Sequence, residues 1–244
     1  MKKDTKFYAM LRSSSNLQHS SEYARFYRDE DERSQNNISH SGKCEVVQKL
    51  SASFRDPPVV LDLGCGTGRY FHCLTKLRFL VGVDPSANML SMAKNPVNQK
   101  TAPIQLVQGS LHEIEFKSDS FDLIMCIGVF GGVSPLDEYS LQQIARFLKP
   151  NGILFFTVPE YLPTRRTWKG RLAEFVEPFL RGDAKRYVRL RLRKFSISEI
   201  EVKKLLARRF KQAEILHWQS GTGRKDLHCI VSKESTGLGE RRDR

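Results

Sequence analysis

The segment Leu61–Tyr70 reads LDLGCGTGRY and places three glycines within five residues, directly after a short apolar run. That run, Pro58–Leu63, is rich in valine and leucine and ends at the first glycine, which predicts a buried strand. Glycine adopts backbone conformations that other residues avoid and lets a ligand approach the backbone closely. We expect a helix over roughly Gly68–Leu77, and a strand that leads through such a loop into a helix indicates a ligand site at the carboxyl edge of an α/β sheet.

The next apolar run, Phe79–Asp84, ends in an aspartate twenty residues after Gly64. A carboxylate at this place can accept hydrogen bonds from both hydroxyls of a ribose. The structural alternative is that the glycines only turn the chain and that Asp84 only caps the following helix. The two signals together favour a nucleotide-type ligand, although the Gly-Cys-Gly-Thr-Gly order differs from the G-x-G-x-x-G of dinucleotide enzymes.

The rest of the chain continues the alternation of strands and helices. Further strands are expected at Ile104–Gly109, Phe121–Val129, Ile153–Val158, Phe210–Trp218 and Asp226–Ser232. Helices are expected within 21–33, from 41 to before Pro57, from Pro85, at Leu136–Leu148, and from a capping box at Ser196 and Glu199 to about Arg209. This order predicts an α/β fold, with a doubly wound, mostly parallel sheet and a C-terminal β-hairpin.

The net charge of +13 is concentrated at the end of the chain, because residues 161–244 carry +12 of it. Within this part, residues 159–194 hold eleven lysines and arginines with aromatic residues between them. The alternation of Arg189, Arg191 and Arg193 places their side chains on one face of a short strand. This row either grips a phosphate, a carboxylate or an RNA backbone, or it is a charged edge that opposes aggregation.

Cysteine usage and hydropathy indicate the compartment. The five cysteines include no CxxC pair, which predicts reduced thiols in a cytoplasmic protein and no metal site. The longest apolar run, Leu123–Phe130, is too short to span a membrane, and the first forty residues do not resemble a secretory signal. We expect residues 1–40 to be a flexible segment that could serve as a lid, 41–235 to be one domain and 236–244 to be a disordered tail.

Four stretches together resemble the class I S-adenosylmethionine-dependent methyltransferases. They are LDLGCGTGRY (61–70), VGVDPSANML (81–90), FDLIMCIGVF (121–130) and LKPNGILFFTV (148–158). The likeness runs from about residue 41 to 233. It implies a Rossmann-like sheet of seven strands, of which the last two form a hairpin and the final one is antiparallel. It also implies S-adenosyl-L-methionine as the cofactor, and it leaves the methyl acceptor open.

The resemblance implies cofactor-binding residues at four strand ends. They are Asp62, Gly64, Cys65, Gly66 and Gly68 for the methionyl part, Asp84 and Pro85 for the ribose and adenine, Ser110 and Leu111 beside the adenine, and Ile127 for the ammonium group. Many relatives have an acid where this chain has Ser110, so we expect a weaker adenine contact here. Tyr23 and Tyr27 are interpreted either as core aromatics or as part of a lid over the sulfonium.

Methyl transfer from a sulfonium depends mainly on positioning and on dry surroundings, and it needs a base only if the acceptor must lose a proton. No catalytic residue is assigned from the sequence, and the stretch Gly128–Val133, with Phe130, is the expected floor of the acceptor site. We expect a small-molecule acceptor, with acidic or phosphorylated compounds among the candidates. Two alternatives stay open: an RNA methyltransferase of the tRNA type that docks through the basic C-terminal third, and a catalytically silent cofactor-binding module.

Overall fold

A computed structural model of the chain describes residues 20–33, 38–94, 103–131, 134–160, 175–176, 179, 197–219 and 225–233. The strands of the described part are β1 Val59–Leu63, β2 Phe79–Asp84, β3 Ile104–Gln108, β4 Phe121–Cys126, β5 Leu148–Pro159, β6 Gln212–Gln219 and β7 Lys225–Ser232. Its α-helices of seven residues or more are α1 Ser21–Arg33, α2 Ile38–Ser53, α3 Ala87–Ala93, α4 Glu138–Phe147 and α5 Glu199–Ala207. A 3₁₀ turn covers Phe71–Cys73.

The seven strands form one sheet in the order β3-β2-β1-β4-β5-β7-β6. Strands β1 to β5 pair in parallel, and β7 pairs antiparallel with both β5 and β6. The expected Rossmann-like, mostly parallel seven-stranded sheet with a C-terminal hairpin is therefore confirmed. Because the chain crosses from one side of β1 to the other between β3 and β4, the carboxyl ends of β1 and β4 border the crevice where ligands bind in such sheets.

Both faces of the central strands are buried, as a parallel sheet requires. Successive residues of β1 show this, since Val60 packs in one hydrophobic cluster and Leu61 in the other. The cluster of Leu61 includes the apolar faces of α4 and α5, and the cluster of Val60 includes α2 and the 3₁₀ turn. The near-continuous apolar runs of the sequence follow from this two-sided burial.

The expected helix over Gly68–Leu77 is wrong, because only the 3₁₀ turn Phe71–Cys73 forms there. Tyrosine, phenylalanine, histidine, cysteine and threonine, which fill much of this segment, all have modest helix propensity. The backbone N–H of Thr75 donates to the hydroxyl of Ser51 on α2, at 3.1 Å, and not to a carbonyl of its own segment. Contacts with α2 thus take the place of helical hydrogen bonds.

The expected capping box at Ser196 and Glu199 is also misplaced, by two residues. The N-cap of α5 is Ser198, whose hydroxyl accepts from the N–H of Glu201, while the Glu201 carboxylate accepts from the N–H of Ser198 at 3.0 Å. Both pairs fit the S-x-x-E pattern. The structure selects the second because Ile197 still lies in extended backbone, bridged to Glu160 at the end of β5.

The prediction that all five cysteines are reduced thiols is wrong for two of them. Cys44 on α2 and Cys73 in the 3₁₀ turn form a disulfide, with their Cα atoms 5.3 Å apart. Their separation of 29 residues leaves no local motif, and only the packing of α2 against the 3₁₀ turn brings them together. Cys65, Cys126 and Cys229 are free and buried.

Helix α1 lies inside the segment 1–40 that was expected to be flexible. Tyr23 and Ala24 are buried against Met89 of α3, and the Arg28 guanidinium donates to the Met92 carbonyl at 3.1 Å. No helix of the described ranges has the length and apolar character to cross a membrane. The row of Arg189, Arg191 and Arg193, most of the basic stretch 159–194 and the tail 236–244 lie outside the described residues.

Candidate functional site

The glycine loop after β1 is fixed to the end of β2 by backbone hydrogen bonds. The N–H groups of Gly64 and Cys65 both donate to the Val83 carbonyl, at 2.7 and 2.9 Å. Gly64, Gly66 and Gly68 all have positive φ, of 72°, 56° and 79°. Left-handed backbone costs other residues about 1–2 kcal/mol. The sequence therefore needs glycine at these three places to follow this path.

The glycines of the loop have different surroundings. A Cβ at Gly64 would collide with the side chain of Val129, so Gly64 allows β1 and the segment after β4 to approach each other. A Cβ at Gly66 would meet no atom of the described residues within 4 Å, and the same holds at Gly128. Since Gly66 follows β1 and Gly128 follows the neighbouring β4, both open positions border the crevice between these strand ends.

Asp84, at the end of β2, holds the loop in place. One carboxylate oxygen accepts from the Gly66 N–H at 3.0 Å, and the other accepts from the Ser86 N–H at 2.9 Å. The N-cap of α3 is Ser86, whose hydroxyl accepts from the Met89 N–H at 3.3 Å. The N-cap position is therefore occupied by Ser86, and Asp84 accepts from the N–H of this cap residue. Because a carboxylate has about four acceptor positions, Asp84 keeps capacity for the hydroxyls of a ligand.

Asp62 lies under the same loop, in β1, with only 2% of its surface exposed. Burial raises the pKa of Asp62 to about 7, with a smaller contribution from the charge of Asp84. Near neutral pH this carboxyl can therefore be ionised by a nearby positive group, which favours the charged form. Asp62 and Asp84 form an acidic pair that would attract a cationic part of a ligand.

The end of β4 is supported by a residue that the sequence analysis missed. The hydroxyl of Thr157, buried in β5, accepts from the Gly128 N–H at 2.9 Å. Ile127, the predicted ammonium contact, lies half-buried between Cys126 and Gly128. A single threonine inside the apolar run ILFFTV was the available signal, because a buried hydroxyl needs a hydrogen-bond partner.

Phe130, expected at the floor of the acceptor site, belongs to the core. Its ring is 1% exposed and packs edge-to-face on Phe156, with centroids 5.7 Å apart. Phe130 therefore supports the backbone of the floor from below and does not present its ring to the crevice.

The residues expected beside the adenine lie at the ends of β2 and β3. The Pro85 carbonyl accepts from the Gln108 side chain at 3.3 Å, which joins the two strand ends. Ser110 begins a short turn, in which its N–H and hydroxyl donate to the Glu113 carboxylate at 3.0 and 2.7 Å. Leu111 is half-buried against the core. The Ser110 hydroxyl thus uses its hydrogen atom locally, which leaves backbone groups as the polar donors of this segment.

Cys65 occupies the centre of the loop, and its thiol is a poor nucleophile. Burial raises the pKa of Cys65 well above its usual range, and the charges of Asp62 and Asp84 raise it further. Because the thiolate is the reactive form of cysteine, this environment suppresses its reactivity.

Helix α1 contacts Arg69, the residue that directly follows the glycine loop. The Arg69 guanidinium lies over the Tyr27 ring, 5.2 Å from its centroid, and Tyr27 contacts Tyr23 with centroids 4.9 Å apart. Tyr23 is thus a core aromatic, whereas Tyr27 is half-buried at the border of the site. The core interpretation thus fits Tyr23, whereas a lid role for Tyr27 stays a prediction.

Known proteins resemble this part of the chain. The family model described as "Methyltransferase domain" matches residues 60–152, which include the glycine loop, Asp84 and the end of β4. The chain is 37% identical over 110 residues to the uncharacterized methyltransferase YodH of Bacillus subtilis, covering 45% of this chain and 46% of that protein. It is 30% identical over 111 residues to the ubiquinone biosynthesis O-methyltransferase of Rhodopseudomonas palustris, covering 45% and 41%.

Solved structures show the same fold over more of the chain. The N-methyltransferase NodS of Bradyrhizobium japonicum, in complex with S-adenosyl-L-homocysteine, matches with a TM-score of 0.61 at 14% identity, covering 83% of this chain and 91% of that one. The chain spans half or less of the length of the curated relatives it matches. Residues 60–152 thus resemble a methyltransferase domain in sequence, and the described sheet has the fold of the S-adenosylmethionine-dependent methyltransferases.

Proposed function

We propose that the chain binds S-adenosyl-L-methionine in the crevice between β1 and β4 and transfers its methyl group to a small-molecule acceptor. The observation that carries the proposal is the open, left-handed Gly66, whose N–H is held by the carboxylate of Asp84. This arrangement places backbone without a side chain next to a carboxylate that can accept hydrogen bonds from the ribose hydroxyls. When bound, the cofactor supplies a methyl group activated by its attachment to a positively charged sulfur.

Each part of the site has a proposed role. Asp84 accepts the ribose hydroxyls, and the acidic pair Asp62–Asp84 attracts the cationic methionyl part beside Gly64–Gly68. Pro85, Ser110 and Leu111 border the adenine through apolar surface and backbone groups. Ile127, at the end of the β4 strand, offers backbone to the ammonium group, and Thr157 keeps this strand end in place through the N–H of Gly128.

The choice of a small-molecule acceptor rests on the relatives and on charge. The curated relatives include an O-methyltransferase of ubiquinone biosynthesis, and the chain has a net charge of +12 in its last third. This excess of basic residues favours an acidic or phosphorylated acceptor. Such a reaction needs no cysteine nucleophile of the kind used in cytosine methylation, because positioning of the reactants and exclusion of water account for most of the rate enhancement.

The acceptor class is tested with cofactor labelled in its methyl group and a cell extract separated into small-molecule, RNA and protein fractions. We expect label in the small-molecule fraction, mainly in compounds retained on an anion exchanger. Label in RNA would instead support the docking of RNA by the basic third. Normal cofactor binding with no labelled fraction would support a silent cofactor-binding module.

The Gly66→Val variant should lose cofactor binding, because its side chain would fill the open space where the ligand is proposed to lie. Left-handed backbone alone should cost about 1–2 kcal/mol of stability. Asn151→Val is the matched control, since Asn151 also has a positive φ, of 62°, but lies near the start of β5, away from the carboxyl ends of the strands. Calorimetry should detect no binding to Gly66→Val and normal binding to Asn151→Val. Unchanged affinity in a folded Gly66→Val variant would place the cofactor elsewhere.

The Asp84→Ala variant should lose roughly 1.5–3 kcal/mol of cofactor binding, the range for hydrogen bonds to a charged group. Asp122→Ala is the matched control, because Asp122 also accepts from a backbone N–H, that of Val59 at 2.9 Å, but lies at the start of β4. Both variants should lose stability in denaturant titrations, whereas only Asp84→Ala should lose affinity. Equal affinities for the two variants would contradict the ribose contact.

Cofactor affinity should increase as the pH rises from about 6 to 7.5, because the Asp62 carboxyl ionises in this range and a positive ligand favours its charged form. The ligand's own amino group keeps its proton over most of this interval. In Asp62→Asn the affinity should be independent of pH, as measured by calorimetry at a series of pH values. A parallel series with S-adenosyl-L-homocysteine, which lacks the sulfonium charge, separates the two cationic groups. The same slope in the wild type and Asp62→Asn would exclude Asp62 as the titrating group.

A further inference from the structure

A second cluster of chemically active side chains lies where α2 packs against the 3₁₀ turn Phe71–Cys73, which follows the glycine loop. Cys44 on α2 and Cys73 in the 3₁₀ turn face the same nitrogen of His72, with their sulfur atoms 3.9 and 3.6 Å from Nε2. The three potential ligand atoms all lie within 4.8 Å of one another. We propose that Cys44, His72 and Cys73 bind a thiophilic divalent metal ion, zinc by ligand chemistry, when the two cysteines are reduced.

The distances between the ligand atoms match those around a tetrahedral zinc ion. Zn–S bonds of about 2.3 Å and Zn–N bonds of about 2.0–2.1 Å place a sulfur and a nitrogen ligand about 3.6 Å apart. The two sulfur–nitrogen distances of 3.6 and 3.9 Å are already close to this value. Only the two sulfur atoms are too close, because they form a disulfide. Breaking that bond is therefore the main change the site needs.

Reduction of the disulfide by a dithiol adds two electrons and two protons, which gives two thiols and an oxidised dithiol. Zinc then displaces the two thiol protons and binds both thiolates together with the neutral imidazole. The disulfide and the metal are thus mutually exclusive states of one site. Two thiolates and an imidazole select zinc or another soft metal over magnesium or calcium.

Contacts other than the disulfide also hold the scaffold around the cluster. Two turns further along α2, the Ser51 hydroxyl accepts from the Thr75 N–H at 3.1 Å and lies 3.2 Å from the Thr75 hydroxyl. Val47 of α2 and Phe71 of the 3₁₀ turn are buried in the same hydrophobic cluster. These contacts keep α2 against the 3₁₀ turn, so that the reduced sulfurs stay near each other.

The burial of the three residues leaves a route for an ion. Cys73 is completely buried, whereas Cys44 and His72 are partly exposed. An ion would therefore enter beside Cys44 and His72, and the fourth ligand position would face that side and hold water. The sequence predicted no metal site because Cys44 lies 29 residues from Cys73, outside any short ligand motif.

The test uses the full chain, reduced with a phosphine, freed of the reductant and titrated with zinc in competition with a chromophoric chelator. We expect one tightly bound zinc per chain in the reduced protein and none in the oxidised protein. Cys44→Ser, Cys73→Ser and His72→Gln should each weaken binding at least tenfold, since even the loss of groups that only support a ligand costs 10–100-fold. Cys229→Ala, which removes a buried thiol elsewhere, should leave the stoichiometry at one.

Cobalt(II) provides a second readout, because thiolate ligands give it intense charge-transfer absorption that Cys44→Ser and Cys73→Ser should reduce. His72→Gln keeps both cysteines and thus tests the site even if the cysteine variants do not fold. The proposal is overturned if the reduced wild type takes up no zinc, or if folded His72→Gln and Cys44→Ser bind it as tightly as the wild type. The pair would then be a structural disulfide only.

Discussion

The carboxylate of Asp84 is the contact on which the geometry of the site depends. Its two oxygens accept from the N–H groups of Gly66 and Ser86, so that one side chain joins the loop after β1 to the start of α3. The left-handed path through Gly64, Gly66 and Gly68 is also held by the bonds of the loop to the Val83 carbonyl and by the bond from the Gly68 N–H to the Cys65 carbonyl. The residue proposed to bind the ribose thus also shapes the backbone on which the cofactor would lie.

The same arrangement has an electrostatic cost. Asp62 is buried next to Asp84, and its pKa is raised from an ordinary 3.8 to about 7. A carboxyl with a raised pKa stabilises the fold below its ordinary pKa, and this contribution is lost as the pH rises through about 7. At neutral pH the free protein therefore keeps an acidic pair that it would be more stable without. A cationic ligand offsets this cost, which gives the site a preference for positive charge before any specific contact forms.

The sequence predicted the sheet and the ligand loop because both depend on local patterns. The apolar runs at Val59–Leu63 and Phe121–Cys126 are strands because both of their faces are buried, and positive φ requires the glycines of the loop. The predictions that were wrong concern features that are set by contacts between residues far apart in the sequence. The turn at Phe71–Cys73 is set by packing against α2, and the choice between two equivalent S-x-x-E patterns is decided by the bridge between Ile197 and Glu160. Thr157 could be assigned a role only after the structure placed it beside Gly128.

The segment from Arg69 to Thr75 links the glycine loop to the Cys44–Cys73 pair. It follows the glycine loop directly and lacks the regular hydrogen bonds of an α-helix, so contacts from elsewhere determine its position. Arg69 lies over Tyr27 of α1, Cys73 is bonded to Cys44 of α2, and Thr75 donates to Ser51 two turns further along α2. The loop is therefore fixed by Asp84 on one side and by the two N-terminal helices on the other. In this chain, α1 and α2 thus hold the segment that leads out of the glycine loop, and the state of the Cys44–Cys73 pair acts on one of these contacts.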